Sequence, residues 1–166
     1  MKIKCFIIIV VGLFCSACRP PLSGVGIAGY NHMQRIAISN FTVDGAMGPN
    51  VNAESGGKES CCVTIPDKWR PGLKVKISWE YDTYQDDPNP VLPSQTIEVD
   101  VPRYSRPAVL QVHFYSDHKV NVVVSPCSPD HAFYPLSKEE LLPWSARSTK
   151  EETLAAAKRR GEADEC

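Results

Sequence analysis

The sequence predicts an all-β fold: about seven antiparallel strands in two sheets packed as a β-sandwich, with a short C-terminal helical tail. Three observations lead there. Apolar and polar residues alternate in segment after segment, the period of a strand with one buried face. Gly, Pro, Asn and Asp cluster between those segments. No helical period occurs before Ser137.

In chain order, 25–32 reads as the first strand, broken by Gly26 and Gly29, and 35–43 as the second. The alternation of the second slips near Asn40-Phe41, which predicts a bulge. Residues 44–57 read as a long loop with three Gly-containing turn signals, and loops of that length are usually functional or mobile. Gly56 and Gly57 permit a sharp turn into a strand on which Cys61, Val63 and Ile65 share one face and Cys62 and Thr64 the other. Pro66 lacks an N–H and should end the ladder. A turn over 67–72 contains one large apolar group, Trp69. It leads into the clearest strand, with Leu73, Val75, Ile77, Trp79 and Tyr81 on one face and Lys74, Lys76, Ser78 and Glu80 on the other. These two strands and their turn read as one strand–turn–strand unit at the centre of the domain.

Residues 82–93 form a second long loop, rich in Asp and Pro, which suggests a stiff acidic protrusion. Ile97, Val99 and Val101 then alternate with Glu98 and Asp100. Residues 108–115 and 119–125 form a hairpin, with Leu110, Val112 and Phe114 facing Val120, Val122 and Val124. The architecture is immunoglobulin-like, but the Tyr-x-Cys of a true immunoglobulin domain is absent. After a loop over 126–135, two capping boxes open helices, at Ser137–Glu140 and Ser148–Glu151, and Gly161 is placed to stop the second. That helix has only Leu154 and alanines to bury.

The first 17 residues are a secretory leader: Lys2 and Lys4, an apolar run, then small residues before Cys18. The ending Cys15-Ser16-Ala17-Cys18 resembles the lipobox of bacterial lipoproteins, although Cys15 stands where Leu is usual. The resemblance implies an acylated Cys18, and Arg19 in place of an Asp implies the periplasmic face of the outer membrane. An acyl chain would contribute about 0.8 kcal/mol per buried methylene. The expected organisation is a leader (1–17), a lipidated tether (18–24), a β-sandwich (25–135) and a charged helical tail (136–166). Without Lys2 and Lys4, 16 basic residues stand against 19 acidic ones. The one basic run, Lys158-Arg159-Arg160, has no aromatic neighbours, so nucleic acid is not an expected partner.

Four cysteines follow Cys18: Cys61, Cys62, Cys127 and Cys166. Export makes disulfides permissible, and spacing does not choose among the pairings. Cys61 and Cys62 should point to opposite faces of a strand, so one of them is expected to meet Cys127 rather than its neighbour.

No nucleophile elbow, zinc-protease helix or phosphate loop occurs, and no catalytic residue or cofactor is expected. His32, His113, His118 and His131 are scattered. A metal held by Cys62, His113 and a third ligand is conceivable, but no metal is expected. Asp86-Asp87 reads as a solvated pair in a proline loop.

Several stretches together resemble a family of small bacterial lipoproteins carrying a domain of unknown function. They are Gly29-Tyr30-Asn31-His32, Val43-Asp44-Gly45, Ser55-Gly56-Gly57, Cys61-Cys62-Val63, Pro66-Asp67-Lys68-Trp69-Arg70-Pro71-Gly72, Val112-His113-Phe114, Val122-Val123-Val124 and the segment 131–135. Cys-Cys-Val followed by Pro-x-x-Trp-x-Pro-Gly is the specific part. The resemblance spans about 24–135 and leaves Cys127, Cys166 and the tail outside the shared motifs. Members include immunity proteins for type VI secretion phospholipase effectors. This implies a protein that binds and neutralises a lipase in the periplasm, with no reaction or small-molecule substrate of its own. Tyr84 and Trp69 are the expected aromatic anchors, although Trp69 also reads as core. Asp82, Asp86 and Asp87 are the expected steering charges. Two other roles fit the same features: an envelope module for a small ligand or metal, and a structural lipoprotein.

Overall fold

Strands that alternate apolar and polar residues must pair their apolar faces, and here two sheets do so across one shared layer. The computed structural model describes residues 20–83, 92–143 and 149–160. The leader, Cys18, Tyr84, Asp86, Asp87, Gly161 and Cys166 lie outside them.

The strands are β1 (Leu22–Asn31), β2 (Ile36–Val43), β3 (Ala46–Met47), β4 (Ser55–Pro66), β5 (Lys74–Thr83), β6 (Gln95–Asp100), β7 (Leu110–Phe114) and β8 (Val120–Val124). They form two four-stranded sheets, ordered β4-β1-β7-β8 and β3-β2-β5-β6. The all-β sandwich expected from the sequence is therefore the observed fold, with two differences in detail. The first sheet is mixed, because β1 runs parallel to β7 with Ile27 opposite Leu110 and Asn31 opposite Phe114. A short β3 also pairs with β2, and Val51 bridges to Ile38, so much of the expected 44–57 loop is stitched to the second sheet.

The expected central strand–turn–strand unit is not a hairpin. β4 is an edge of the first sheet and β5 lies inside the second. The residues between them cross the sandwich. Asp67 N donates to Pro21 O (2.9 Å) at one side of the crossing, and Trp69 Nε1 donates to Val101 O (2.8 Å) at the other. Tyr104 Oη closes the same end with a bond to Pro66 O (2.6 Å). These anchors satisfy buried polar groups of both sheets, which a tight hairpin turn could not reach.

The core is aromatic at its centre. Phe114 packs edge-on against Phe41, with ring centroids 5.1 Å apart, and lies 5.7 Å from Trp79. Gly48 makes room for Phe41: a Cβ there would sit 2.1 Å from Cζ of that ring. The slip expected near Asn40-Phe41 is a bulge at Ser39, since Ile38 faces Tyr81 and Asn40 faces Glu80.

The outer face of the first sheet is also covered. Residues 126–142 form a strap over it, and Cys127, Tyr134 and Leu141 pack with Val123. This explains why Gln111 and His113, on the polar side of β7, are as buried as the apolar side. Within the strap, α1 (Lys138–Leu141) opens with the expected capping box at Ser137. The second helix, α2 (Lys150–Arg160), is capped one residue later than expected. Thr149 N donates to Glu152 Oε2 (2.9 Å) and Glu152 N donates to Thr149 Oγ1 (3.2 Å). It buries Ala157 and leaves Leu154 exposed.

The strand directions give the domain two poles. Leu22 of β1 lies opposite Pro66, and Lys74 of β5 opposite Asp100, at the end closed by Trp69 and Tyr104. Nine residues later β5 ends at Thr83, about 30 Å away at ~3.3 Å per residue. The ends of the 82–93 loop are therefore attached at the pole remote from the N-terminus.

Candidate functional site

Parallel pairing of β1 and β7 places Tyr30 directly opposite His113 on the outer face of the first sheet. Their rings stack, 4.9 Å apart and 12° from parallel. One step on, the half-buried His32 ring stacks on Tyr115 at 4.2 Å and 17°. The rings are linked by a chain of hydrogen bonds. His32 Nδ1 donates to Leu142 O (2.5 Å), because a carbonyl can only accept. His32 Nε2 lies 2.9 Å from His113 Nδ1, and His113 Nε2 lies 2.6 Å from Tyr134 Oη. Tyr134 Oη is 2.9 Å from Gln111 Oε1. The Gln111 amide then donates to Ser125 O (3.0 Å) and Cys127 O (2.7 Å).

Two further bonds fix the strap beside this chain. Tyr115 Oη donates to Glu140 O (2.8 Å), and Asn121 Nδ2 donates to Glu140 Oε1 (3.0 Å). The strap therefore sits on a polar, aromatic layer whose hydrogen bonds dictate its position. A purely apolar cover would leave more freedom.

Burial sets the electrostatics of the cluster. It holds His113 neutral, with a pKa pushed down to about 3, and the adjacent His32 adds to the shift. Burial also lowers His32, opposed by its bond to the Leu142 carbonyl. The phenols shift the other way. Burial raises Tyr115 to about 12, with help from Glu140, and raises Tyr134 and Tyr30 as well. Hydrogen bonding within the capping box, first from the Ser137 backbone, lowers Glu140. Neutral rings and protonated phenols suit a structural clasp. His32 is the cluster's half-exposed end.

Sequence reading did not find this cluster. It took the four histidines as scattered, since parallel pairing of the first strand with a late one cannot be read from alternation. A signal was nonetheless present. Tyr30, His32, His113 and Tyr134 all fall within the stretches that carry the family resemblance, and β7 has an amide and a ring on its polar face where charges would be usual.

The cysteine expectation is overturned. Cys61 and Cys62 are joined to each other by a disulfide, not one of them to Cys127. The reason is local. Val25 faces Val63 and Ile27 faces Ser60, so Gly26 alone opposes both cysteines. That bulge, with a cis Cys61-Cys62 peptide, breaks the alternation assumed for a regular strand. Both residues are exposed on edge strand β4. Cys127 is itself disulfide-bonded. With its sulfur in a disulfide, Cys62 offers no thiolate, which removes the Cys62–His113 metal idea. Among the described residues no group of three or more His, Cys, Asp and Glu is placed to hold a metal ion.

The other expected residues separate. Trp69 is half-buried against the core and anchored to Val101 O. Asp82 is exposed near the end of β5, opposite Ala37, at the remote pole. Trp69 and Asp82 thus lie at opposite ends of the sandwich and do not form one surface. His118 is exposed at Asp82's pole, where its Nδ1 lies 2.8 Å from Tyr81 Oη.

A family model described as protein of unknown function (DUF3304) matches residues 30–122. No curated protein matches the chain.

Proposed function

Because the chain belongs to the DUF3304 family of proteins of unknown function, its role must be argued from address, shape and charge, and we propose that it is a lipid-anchored immunity protein. In this reading Cys18 is acylated and holds the domain on the periplasmic face of the outer membrane. The domain binds a type VI secretion phospholipase effector and neutralises it, by covering its active-site mouth or blocking its movement. It performs no reaction of its own.

The observation that carries the reading is the polarity of the sandwich. The tether enters at one pole, beside Pro66 and Asp67. The 82–93 loop is attached at the other, with Asp82 exposed there. An anchored domain of this shape attaches the ends of its acidic, proline-rich segment at the pole away from its tether. A rigid sandwich is a suitable inhibitor scaffold, because preorganisation lowers the entropic cost of binding. Asp82, Asp86 and Asp87 supply charge for steering, and Tyr84 supplies an aromatic anchor. Trp69 belongs to the tether pole and takes no part in this contact.

The test is survival. The neighbouring genes are first searched for a lipase, which is then directed to the periplasm of cells with and without the protein. Death only in its absence supports the reading. Equal survival, or a neighbourhood without any lipase gene, contradicts it.

A further inference from the structure

The tether pole carries a second feature that the effector-binding role does not use. Lys68, Trp69, Pro71, Arg103 and Tyr104 line an open groove of about 530 Å³ between the β4–β5 crossing and the segment after β6. Lys68, Arg70 and Arg103 are exposed there. Asp67 and Asp100 are the acids next to these segments in sequence. Asp67 Oδ1 accepts from Ser23 Oγ (2.6 Å), and Asp100 lies 3.9 Å from Lys74 Nζ. Beside the groove Leu22, paired with Pro66, is 58% exposed.

The chain itself says what faces this surface. Pro21 O is bonded to Asp67 N, next to Lys68. Pro21 is only three positions after Cys18, a span of at most about 11 Å. That is comparable with the Debye length of about 8 Å at physiological salt. A surface holding the Cys18 acyl chain would therefore lie close to Pro21 and Asp67, at the same pole as the groove.

We propose that this pole is a membrane-docking face, on which Lys68, Arg70 and Arg103 bind the phosphates of anionic phospholipid headgroups while Leu22 and the rim of Trp69 and Pro71 enter the interface. The proposal rests on the anchored reading above and deepens it. Docking fixes the tilt of the domain, so the pole that carries Asp82 faces away from the membrane. Each basic side chain near an anionic surface contributes about fivefold in affinity.

The test uses the exported chain without its acyl group, carrying Cys18→Ser, so that binding through the lipid does not mask the face. Sedimentation is measured with vesicles of phosphatidylcholine alone and of phosphatidylcholine with phosphatidylglycerol. The expected result is at least tenfold tighter binding to the anionic vesicles, reduced more than tenfold in Lys68→Glu/Arg103→Glu. Lys58→Glu, an exposed charge reversal on β4 outside the groove, should have a smaller effect. Circular dichroism confirms that the variants are folded. Equal binding to both vesicles, or equal loss in Lys58→Glu, overturns the proposal. Neither outcome bears on effector neutralisation, which the survival assay reads separately.

Discussion

His32 Nε2 lies 2.9 Å from His113 Nδ1, midway along a chain of four polar contacts from Leu142 O to Gln111 Oε1. Each contact needs one proton. Two neutral imidazoles and one phenol supply three. One contact in the neutral cluster is therefore without a proton, and an added proton on either ring would complete the chain. Burial opposes that proton, and His113 stays neutral down to about pH 3.

The pH dependence follows in sign. An unfolded histidine titrates near 6.5, and His113 in the fold near 3. The unfolded chain binds the proton first as pH falls, so the contribution is complete above pH 6.5 and declines below it. We expect a loss of roughly 1 kcal/mol between pH 6.5 and 5.5, read by denaturant titration. Nitrogen NMR at neutral pH should show His32 as the Nδ1–H tautomer. A flat stability profile across that interval, or an Nε2–H tautomer at His32, contradicts the geometry.

Tyr134→Phe removes the hydroxyl between His113 and Gln111 while keeping the ring. Two buried polar atoms lose a partner, which costs about 1–3 kcal/mol. Proteolysis should then cut first within 126–142, because the strap loses its central tie. Unchanged stability together with an unchanged cleavage pattern would show that the hydroxyl is dispensable.

The vicinal disulfide closes almost no loop. Sequence separation is 1. Chain entropy predicts a contribution of about 1 kcal/mol, against about 4 kcal/mol for a loop of several tens of residues such as any closed by Cys127. Cys61→Ser/Cys62→Ser should shift the unfolding midpoint little, and Cys127→Ser a good deal more. Peptide mapping under non-reducing conditions should recover Cys61 and Cys62 in one peptide with two fewer hydrogens. A cross-link from either to another peptide would refute the pairing.

Gly56 sits beneath Tyr30. A Cβ there would lie 2.3 Å from Tyr30 Cδ1 and 2.8 Å from the Gly29 carbonyl oxygen, and the backbone cannot give way as a side chain can. Gly56→Ala should cost about 1–3 kcal/mol and disturb the Tyr30–His113 stack, visible in near-ultraviolet circular dichroism. Retained stability with an unaltered aromatic signal would place the strand elsewhere.

Much of the sandwich was legible because alternation is a local signal. Val75, Ile77, Trp79 and Tyr81 are buried as their spacing required, and so are Leu110, Val112 and Phe114. What depends on long-range pairing was not legible. Nothing in the 61–73 stretch marks it as a crossing between sheets, since Trp69 finds Val101 and Asp67 finds Pro21 only in three dimensions. The parallel β1–β7 ladder, which assembles the His32–His113 pair, is likewise silent in sequence. The disulfide was missed because a bulge opposite Gly26 suspends the rule that neighbours on a strand face apart. Trp69 and Asp82 both looked like contact residues, and only the strand directions place them at opposite poles.

The central claim is inhibition by binding from the remote pole. Its most direct measurement is the hydrolysis of phospholipid vesicles by whatever lipase a survey of the neighbouring genes identifies, titrated with the purified exported protein. The account predicts loss of activity with an end point at one molecule per enzyme, weakened at least tenfold by Asp82→Lys/Asp86→Lys and unchanged by Trp69→Phe. Full lipase activity at excess protein would contradict it.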